Sequence, residues 1–509
     1  MTVYVGKPLS FADVVAVARH REPVAVHPDV AFTMAPARAV VEDAVAAGET
    51  VYGISTGIGD LANVRIDTGL ALALQRDTVR SHATAVGPPL PAEVVRAMLL
   101  LRARTFAFGV SGVRFELVER LVALLNAEVH PVVPSQGSLG ASGDLAPLAH
   151  LALPLIGEGA AEVDGRVLPG AEALARAGVE PLVLSYKEGL ALVNGTEMML
   201  ALGILLLDRA RRAARVADVT GAMTLEACLG TDSAFREDLV ALRRHPGAQA
   251  SAANLRRMLA GSEVVASHRD SDHLVQDAYS LRCMPQVHGA YRDGLQYVAG
   301  VLEAELASAI DNPTVMVAEG KLLSGGNFHG EALALALDHL ALCLTGFATI
   351  SERRVARLVD PGLNNGLPAF LTHEPGRRSG FMIVQYTAAS LVSENRSLCW
   401  PASADSIPSS AGQEDHVSMG ATAGRKATSV LDNTEHVLAI EALGAAQGLD
   451  LRTPLKPAPA TAAARAAVRE VSPFLEEDRP LSGDIAAVRD LTSAGGFLDS
   501  VEEVAGPLG

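Results

Sequence analysis

The sequence predicts a mainly α-helical protein, with a core bundle of long helices and a loop-rich N-terminal region. Hydrophobic residues make up 49% of the 509 residues but aromatic residues only 4%, a composition that favours helices packed through small side chains. Glycine and proline interrupt the first 193 residues at short intervals, whereas long proline-free stretches follow Asn194. We therefore divide the sequence into an N-terminal region, residues 1–193, and a helical region, residues 194–509.

Within the N-terminal region, one stretch is clearly helical. The segment PAEVVRAMLLLRARTFAFG (91–109) has Pro91 and Glu93 at its start and Gly109 beyond its end, the residue types typical of helix boundaries. The segment AEVDGRVLPG (161–170) predicts a small hairpin or a loop, because Asp-Gly favours a tight turn.

The helical region contains three long stretches that read as helices, at residues 196–230, 291–311 and 329–360. The last is longer than a typical globular helix, and helices of this length indicate a bundle. The most apolar stretch of the sequence, MMLALGILLL (198–207), lies within the first of these three and is about half the length of a membrane span. We expect a buried helix there.

Charge and cysteine content exclude several classes of protein. The net charge is −16 and the composition shows no basic footprint, so we expect no nucleic-acid partner. The N-terminus lacks the pattern of a secretory signal, and we expect a cytoplasmic protein without a membrane partner. Cys228, Cys283, Cys343 and Cys399 are widely spaced and form no CxxC pair, which argues against a zinc site or a disulfide framework. His268 and His273 in SHRDSDH do not match zinc spacing, and no metal is expected.

Several short polar segments interrupt the apolar pattern. Asn194, in LVNGTEMM, can cap a helix or serve a site. Gln276, Tyr279 and Arg282 recur every three residues, so they share one face that is either solvated or functional. Standard catalytic templates do not fit. Around Ser142 the order is Gly-Ala-Ser-Gly-Asp rather than G-x-S-x-G, and TGIG lacks the lysine of a phosphate-binding loop.

The segment GSLGASGDLAPLAH (137–150) permits an unusual backbone reaction. In a tight bend the amide nitrogen of Gly143 can attack the carbonyl carbon of Ala141. Loss of two waters then leaves an imidazolone ring whose exocyclic methylene derives from Ser142. Glycine is needed because a side chain would crowd the attacking nitrogen, and Asp144 lies close enough in sequence to assist dehydration. The product is an electrophile that no unmodified side chain supplies.

This segment, together with motifs along the whole chain, resembles the aromatic amino-acid ammonia-lyase and aminomutase family. The matching motifs, in the family order, include YGISTGIG, LVNGTE, VQDAYSLRCMPQ, SGGNFHGE, SGFMIVQYTAAS and QEDHVSMG. Members carry the self-made 4-methylidene-imidazole-5-one group (MIO). The resemblance therefore implies MIO formed from Ala141-Ser142-Gly143 in the N-terminal region, the helical ammonia-lyase (fumarase/aspartase-like) architecture, and a homotetramer whose pockets draw residues from more than one subunit.

The resemblance also implies a role for individual residues. Tyr52 matches the base that removes the β-proton, and its site would have to stabilise the tyrosinate because a free tyrosine has a pKa near 10. Arg282 matches the group that binds the substrate carboxylate. The other implied residues are Tyr279 beside the MIO ring, Phe328 as an apolar wall, and Asn194, Gln276, Gln413, Glu414 and His82 for substrate binding.

Within the family, two positions point to histidine as substrate. Members that act on phenylalanine or tyrosine have Phe-Leu or His-Leu where this chain has Ser81-His82, and they lack a glutamate at the position of Glu414. A carboxylate facing a histidine suits imidazole, which carries a donor and an acceptor nitrogen. The implied reaction converts L-histidine to trans-urocanate and ammonia. Alternatives are an MIO-dependent aminomutase, a lyase for tyrosine or phenylalanine, and a non-catalytic scaffold.

The sequence departs from the family pattern at a few places. Met284 stands where many histidine-specific members have glutamine, and His288 replaces a small or apolar residue. Glu197 occupies a position often held by glutamine or aspartate, and Trp400, the only tryptophan, precedes PASADS. We expect these four residues to alter the packing around the site rather than the MIO segment itself.

Overall fold

The computed structural model describes residues 2–270 and 274–509, apart from the side chain of Thr68. His273, considered above as a metal ligand, lies outside the described residues. Helices account for 61% of the chain and strands for 7%, which confirms the mainly α prediction. The chain forms two compact units, and each is assembled from three separate segments. The first comprises Met1–Leu205, Ala299–Asp338 and Pro401–Arg425, and the second Leu206–Val298, His339–Trp400 and Lys426–Gly509.

Eight helices of the described chain lie entirely within the first unit. They are α1 (Phe11–Arg19), α2 (Asp29–Ala46), α3 (Ala71–His82), α4 (Ala92–Ala107), α5 (Phe115–Asn126), α6 (Leu145–Ala152), α7 (Gly170–Ala177) and α8 (Glu188–Val193). The predicted helix at 91–109 is confirmed as α4, which is buried along nearly its whole length.

Short strands of the first unit form small two- and three-stranded sheets. They are β1 (Val3–Val5), β2 (Val24–Val26), β3 (Val86–Pro89), β4 (His130–Pro131), β5 (Pro134–Gln136), β6 (Ala160–Val163), β7 (Arg166–Pro169), β8 (Thr314–Met316) and β9 (Lys321–Leu323). The pairs are β1–β2, which is parallel, and the antiparallel β3–β5, β4–β6–β7 and β8–β9. The β6–β7 hairpin, in which Val163 pairs with Arg166, confirms the hairpin interpretation of residues 161–170.

Four long helices each contribute residues to both units. They are α9 (Glu197–Ala227), α14 (Met284–Leu306), α15 (Glu331–Val359) and α17 (Gly420–Asp450). The three predicted long helices are thereby confirmed, as is the buried state of residues 198–207. Glycines allow close packing within each unit. In the first, a Cβ at Gly203 would lie 2.6 Å from the Leu302 side chain; in the second, a Cβ at Gly221 would lie 2.4 Å from the sulfur of Met284.

Helix α15 is long and apolar enough to cross a membrane by length and composition, and within the described chain it is the one helix with that property. However, 78% of its most apolar window is buried inside the fold. Burial of this kind is typical of a core helix.

The remaining helices belong to the second unit. They are α10 (Glu237–Val240), α11 (Pro246–Leu259), α12 (Glu263–Ala266), α13 (Tyr279–Arg282), α16 (Met382–Leu398), α18 (Pro459–Val471), α19 (Ser482–Ala494) and α20 (Gly496–Ala505). All four cysteines are free thiols, and Cys228 and Cys343 are buried.

A chain of buried charges, which we call the ionic core, lies inside the second unit and comprises Asp218, His288, Arg354 and Glu441. All four side chains are fully buried. His288 Nδ1 lies 2.7 Å from an Asp218 oxygen, and its Nε2 lies 3.3 Å from an Arg354 nitrogen. Since guanidinium can only donate, this geometry assigns the Nδ1–H tautomer, which donates to Asp218 and accepts from Arg354. Arg354 in turn donates twice to the Glu441 carboxylate.

Candidate active site

The Ala-Ser-Gly tripeptide lies in the loop between β5 and α6 of the first unit. Gly143 has a left-handed φ of +74°, and a Cβ there would lie 2.0 Å from the carbonyl oxygen of Gly195. The two glycines pair as a parallel bridge. Both the backbone angle and the close approach therefore require glycine at position 143.

Asp144 holds this loop against the start of α9. Its N–H donates to the Gly195 carbonyl at 2.6 Å. Its fully buried carboxylate accepts from the backbone N–H groups of Met198 and Met199, both at 3.0 Å, and from the Ser138 hydroxyl at 3.0 Å. Burial outweighs these hydrogen bonds and raises the pKa of Asp144 to about 7. The group can therefore gain or lose a proton near neutral pH.

Five of the predicted site residues line one cavity of about 190 Å³: His82, Ala141, Ser142, Gly143 and Glu414. The Ser142 hydroxyl donates to Glu414 Oε1 at 3.0 Å, although the two residues are 272 positions apart in the sequence. His82, the last residue of α3, also lines the cavity, together with Ala141 and Gly143. His82 Nδ1 lies 2.8 Å from the Thr78 carbonyl oxygen, which assigns the proton to Nδ1 and leaves Nε2 as an acceptor.

Asn194 reaches the tripeptide from the turn between α8 and α9. Its side-chain amide donates to the Ser142 carbonyl oxygen at 3.4 Å, and its buried Oδ1 has no hydrogen-bond partner. Asn194 is the C-cap residue of α8 through its backbone N–H, which donates to the Leu190 carbonyl oxygen, but its side-chain oxygen is unpaired and does not serve as the N-cap acceptor that the sequence suggested.

Tyr52 lies in the loop after α2, and its hydroxyl oxygen accepts from the Gly59 N–H at 2.9 Å. Burial raises the pKa of Tyr52 above its ordinary value; the Gly59 hydrogen bond opposes this rise, and the negative charge of Glu414 adds to it. In this single chain, the expectation that the site stabilises tyrosinate and so lowers the pKa of Tyr52 is wrong, because burial and the nearby Glu414 carboxylate both disfavour tyrosinate.

Like Tyr52 and Asn194, two further predicted residues of the first unit do not line this cavity. Phe328 is half-buried in the loop between β9 and α15, and Gln413 is exposed. The backbone N–H of Gln413 donates to the Ser410 carbonyl oxygen at 3.0 Å, so Gln413 helps to close the loop that carries Glu414.

Gln276, Tyr279 and Arg282 lie in the second unit, at and just before α13. Arg282 Nε donates to the Asp277 carbonyl oxygen at 2.8 Å, and its guanidinium carbon lies 4.7 Å from the centre of the Tyr279 ring. Gln276 is exposed, and 71% of Tyr279 is accessible. The structure thus brings Tyr279 and Arg282 into contact and leaves Tyr279 open.

The departures from the family pattern have different surroundings. Glu197 is buried and pairs with Arg102 at 2.7 Å, directly beneath Gly195. Met284 is buried beside Gly221, and His288 belongs to the ionic core. Trp400 is 75% exposed.

Sequence reasoning missed Ser409 and Ser410. The Ser409 hydroxyl donates to Glu414 Oε2 at 3.0 Å, and the Ser410 hydroxyl oxygen accepts from the Asp60 N–H at 3.2 Å. The segment PSSAGQE carries no signal for either role, because serine and glycine are ordinary loop residues.

Larger cavities exist in the first unit, including one of about 710 Å³ lined by residues 6–12 and part of α4. None of the predicted site residues lines it. Among residues 2–270 and 274–509, no cluster of three or more His, Cys, Asp or Glu side chains is arranged to hold a metal ion.

Comparison with known proteins shows to which family this chain is similar. Residues 9–470 match the family described as aromatic amino acid lyase. A histidine ammonia-lyase of Sorangium cellulosum (strain So ce56) is 53% identical over 99% of this chain and 99% of that protein. A histidine ammonia-lyase of Gloeobacter violaceus is 54% identical over 99% of this chain and 98% of that protein.

Solved structures of two similar enzymes have the same fold. Histidine ammonia-lyase from Trypanosoma cruzi superposes with a TM-score of 0.91 at 42% identity, covering 99% of this chain and 96% of that one. Tyrosine aminomutase from Streptomyces globisporus gives 0.94 at 39% identity, covering 99% of both chains. Fold and site therefore define an enzyme of the lyase class. The chain belongs to the aromatic amino acid lyase family.

Proposed function

We propose that this enzyme is a histidine ammonia-lyase that converts L-histidine to trans-urocanate and ammonia without oxidation. The observation that carries the proposal is the position of Glu414, whose carboxylate lies 3.0 Å from the Ser142 hydroxyl in the cavity that His82 also lines. The two relatives described above, both more than half identical in sequence, are histidine ammonia-lyases.

The tripeptide fits the formation of MIO from Ala141, Ser142 and Gly143. Gly143 already has the left-handed backbone and the lack of a side chain that cyclisation needs. Asp144, whose pKa is about 7, can pass the protons that leave with the two waters. When formed, the group supplies an electron-poor alkene that binds the substrate amine.

Glu414 and His82 account for the choice of histidine. An imidazole N–H can donate to Glu414, and a protonated imidazole can in addition donate its second N–H to the Nε2 acceptor of His82. A phenyl ring offers no N–H to this half-buried carboxylate, so the hydrogen bond to a charged acceptor that imidazole can make, about 1.5–3 kcal/mol, would be missing. This cost favours histidine over phenylalanine.

Tyr52 acts as the base that removes the β-proton. Its hydroxyl is part-buried, and the Gly59 N–H would stabilise the phenolate once the proton has left. Family resemblance assigns the binding of the substrate carboxylate to Arg282. It also assigns hydrogen bonds to the substrate to Gln276 and Asn194, and places Gln413 in the binding site. Tyr279 and Phe328 would pack around the MIO ring.

The resemblance also supports a cytoplasmic homotetramer in which each pocket draws residues from more than one subunit, with L-histidine as its small-molecule partner and no metal, nucleic acid or membrane involved. The exposure of Gln276 and Tyr279 in a single chain is consistent with a site completed by assembly.

The test is to incubate the purified protein with L-histidine and to follow the ultraviolet absorbance of urocanate, with Ser142→Ala as the control. We expect turnover by the wild-type protein and none above background by the variant. Wild-type protein that leaves L-histidine unchanged, or a fully active variant, would contradict the proposal. NMR of the products distinguishes the aminomutase alternative, which would yield a β-amino acid.

A further inference from the structure

Two loops of the first unit, one after Tyr52 and one before Glu414, are joined by a serine hydroxyl. The N–H of Asp60 donates to Ser410 Oγ at 3.2 Å. The adjacent Gly59 is so close that a Cβ there would lie 2.4 Å from the same oxygen. Because the Gly59 N–H also donates to the Tyr52 hydroxyl, the contact lies one residue from the group that binds Tyr52.

The same serine lies next to the residue that orients Glu414. Ser409 and Glu414 pair through their backbones, with N···O distances of 2.8 and 3.2 Å, and the Ser409 hydroxyl donates to Glu414 Oε2 at 3.0 Å. The other carboxylate oxygen accepts from Ser142. A continuous path of short contacts therefore runs from Tyr52 to Glu414 without the Ser142 hydroxyl, which ring formation removes.

The loop before Glu414, which carries Ser410, has a strained backbone. Ser410 and Ala411 have left-handed φ angles of 50° and 52°, a region that costs non-glycine residues about 1–2 kcal/mol each. Such a conformation persists only where its surroundings determine it, and it is concentrated at functional sites. At position 410, this conformation directs the hydroxyl to Asp60.

We propose that Ser410 is a positioning residue for the lyase reaction: its hydroxyl fixes the Tyr52 loop to the Glu414 loop and thereby sets the spacing between the base and the carboxylate that binds imidazole. The inference rests on the proposed function and adds to it a residue that sets the distance between Tyr52 and Glu414. Ser410 acts through Gly59, Asp60 and Ser409 rather than on the substrate.

We expect the protein to fold without this contact. Asp60 is exposed, so its N–H can bond to water when the serine oxygen is removed, and no buried donor is left unpaired. Removing the hydroxyl should instead let the two loops shift relative to one another. A displacement of about 1 Å in a catalytic site can lower the rate as much as 100-fold.

The test compares Ser410→Ala with Ser308→Ala, a control in the same unit whose hydroxyl donates to the Ala304 carbonyl within α14. For Ser410→Ala we expect kcat for L-histidine to fall about tenfold or more, with KM changed far less, an altered dependence of kcat/KM on pH, and the melting temperature and MIO content of the wild type. Ser308→Ala should behave as wild type throughout.

Two further variants separate the hydroxyl from the strain. Asparagine tolerates the left-handed region and offers an acceptor oxygen, so Ser410→Asn should recover part of kcat. Ser410→Gly relieves the strain without an acceptor and should be as slow as Ser410→Ala. Wild-type kcat and pH profile in Ser410→Ala, or full recovery in Ser410→Gly, would overturn the inference. Failure of the proposed function is distinct, because the wild-type protein itself would then not deaminate L-histidine.

Discussion

The cavity around Ser142 and the ionic core of the second unit both bury carboxylates, but they satisfy them very differently. In the ionic core each carboxylate is saturated. Asp218 accepts from Ser251, Asn254, His288 and Arg292, and Glu441 accepts from Thr220, Thr224, Ser351 and Arg354. In the cavity, the half-buried Glu414 carboxylate accepts from two neutral donors, the hydroxyls of Ser142 and Ser409.

The pKa of Asp218 in the ionic core and that of Asp144 next to the tripeptide shift in opposite directions. Burial would raise the pKa of Asp218, but the charge of Arg292 and the hydrogen bond from His288 outweigh it and hold the pKa far below its ordinary value. In the first unit, burial prevails and raises the pKa of both Asp144 and Tyr52. A saturated buried charge stabilises one structure, whereas an undersatisfied one is available to a substrate or a proton.

Replacing Gly143 tests the chemistry of the first unit with the largest expected effect. In Gly143→Ala the new Cβ would lie 2.0 Å from the Gly195 carbonyl oxygen, so we expect no ring closure and no turnover of L-histidine. Gly165→Ala is the matched control, because Gly165 has a similar φ of +71° but nothing within 4 Å. The readouts are urocanate formation and the mass of the peptide that contains residue 143. A Gly143→Ala protein that carries MIO would contradict the account.

Replacing Arg354 tests the ionic core. Arg354→Met leaves the Glu441 carboxylate buried without a cation, and we expect a loss of about 3–5 kcal/mol in the free energy of unfolding. Urea denaturation at a fixed protein concentration measures it. Arg236→Met is the control, since its pair with Asp238 lies on the surface of the same unit with both side chains about two-thirds exposed; such pairs contribute about 0–1 kcal/mol. Equal losses in the two variants would show that the core charges are not structural.

Replacing Glu414 should lower the activity but not the free energy of unfolding, which is the reverse of the emphasis on stability in Arg354→Met. Glu414→Gln removes a charged acceptor for the imidazole N–H, a hydrogen bond of about 1.5–3 kcal/mol, so kcat/KM for L-histidine should fall roughly 10- to 100-fold. Glu305→Gln is the control, because that half-buried carboxylate also accepts from a hydroxyl, Thr196 Oγ1 at 2.6 Å. A Glu414→Gln protein that loses stability but not activity would assign Glu414 to the structure.

The smallest predicted effect is a shift in pH dependence. Because Tyr52 must lose its proton and its pKa lies above the ordinary value near 10, kcat/KM should rise with pH between about pH 7 and pH 10. The charge of Glu414 contributes to that high pKa, so the rise in Glu414→Gln should move to lower pH. A shift to higher pH, or none, would contradict the electrostatic link between these two groups.

Sequence patterns predicted the helices well because the signal is local. Proline-free apolar stretches predicted α9, α15 and the part of α14 after residue 290, and the Asp-Gly turn predicted the β6–β7 hairpin, whereas the first seven residues of α14 and the long helix α17 were not predicted. The Ala-Ser-Gly chemistry was also local, since it depends on three consecutive residues. The proximity of Ser142 to Glu414 could be expected only through family resemblance, because nothing local connects residues 272 positions apart.

The remaining features of the site depend on tertiary contacts that no spacing reveals. The left-handed angles of Ser410 and Ala411 contradict local preference and arise from the loops around them. The raised pKa of Tyr52 likewise follows from burial and from Glu414, neither of which YGISTGIG indicates. For the same reason the sequence could not separate the two roles of Asn194, whose backbone N–H caps the end of α8 while its side-chain amide donates to the Ser142 carbonyl oxygen.

The most direct test of the account is the intact mass of wild-type protein that has been shown to deaminate L-histidine. We expect a mass lower than that of the encoded chain by two waters, with the loss confined to the peptide that contains residues 141–143, and the full mass for Ser142→Ala. An active wild-type protein with the full, uncyclised mass would contradict the account at its centre.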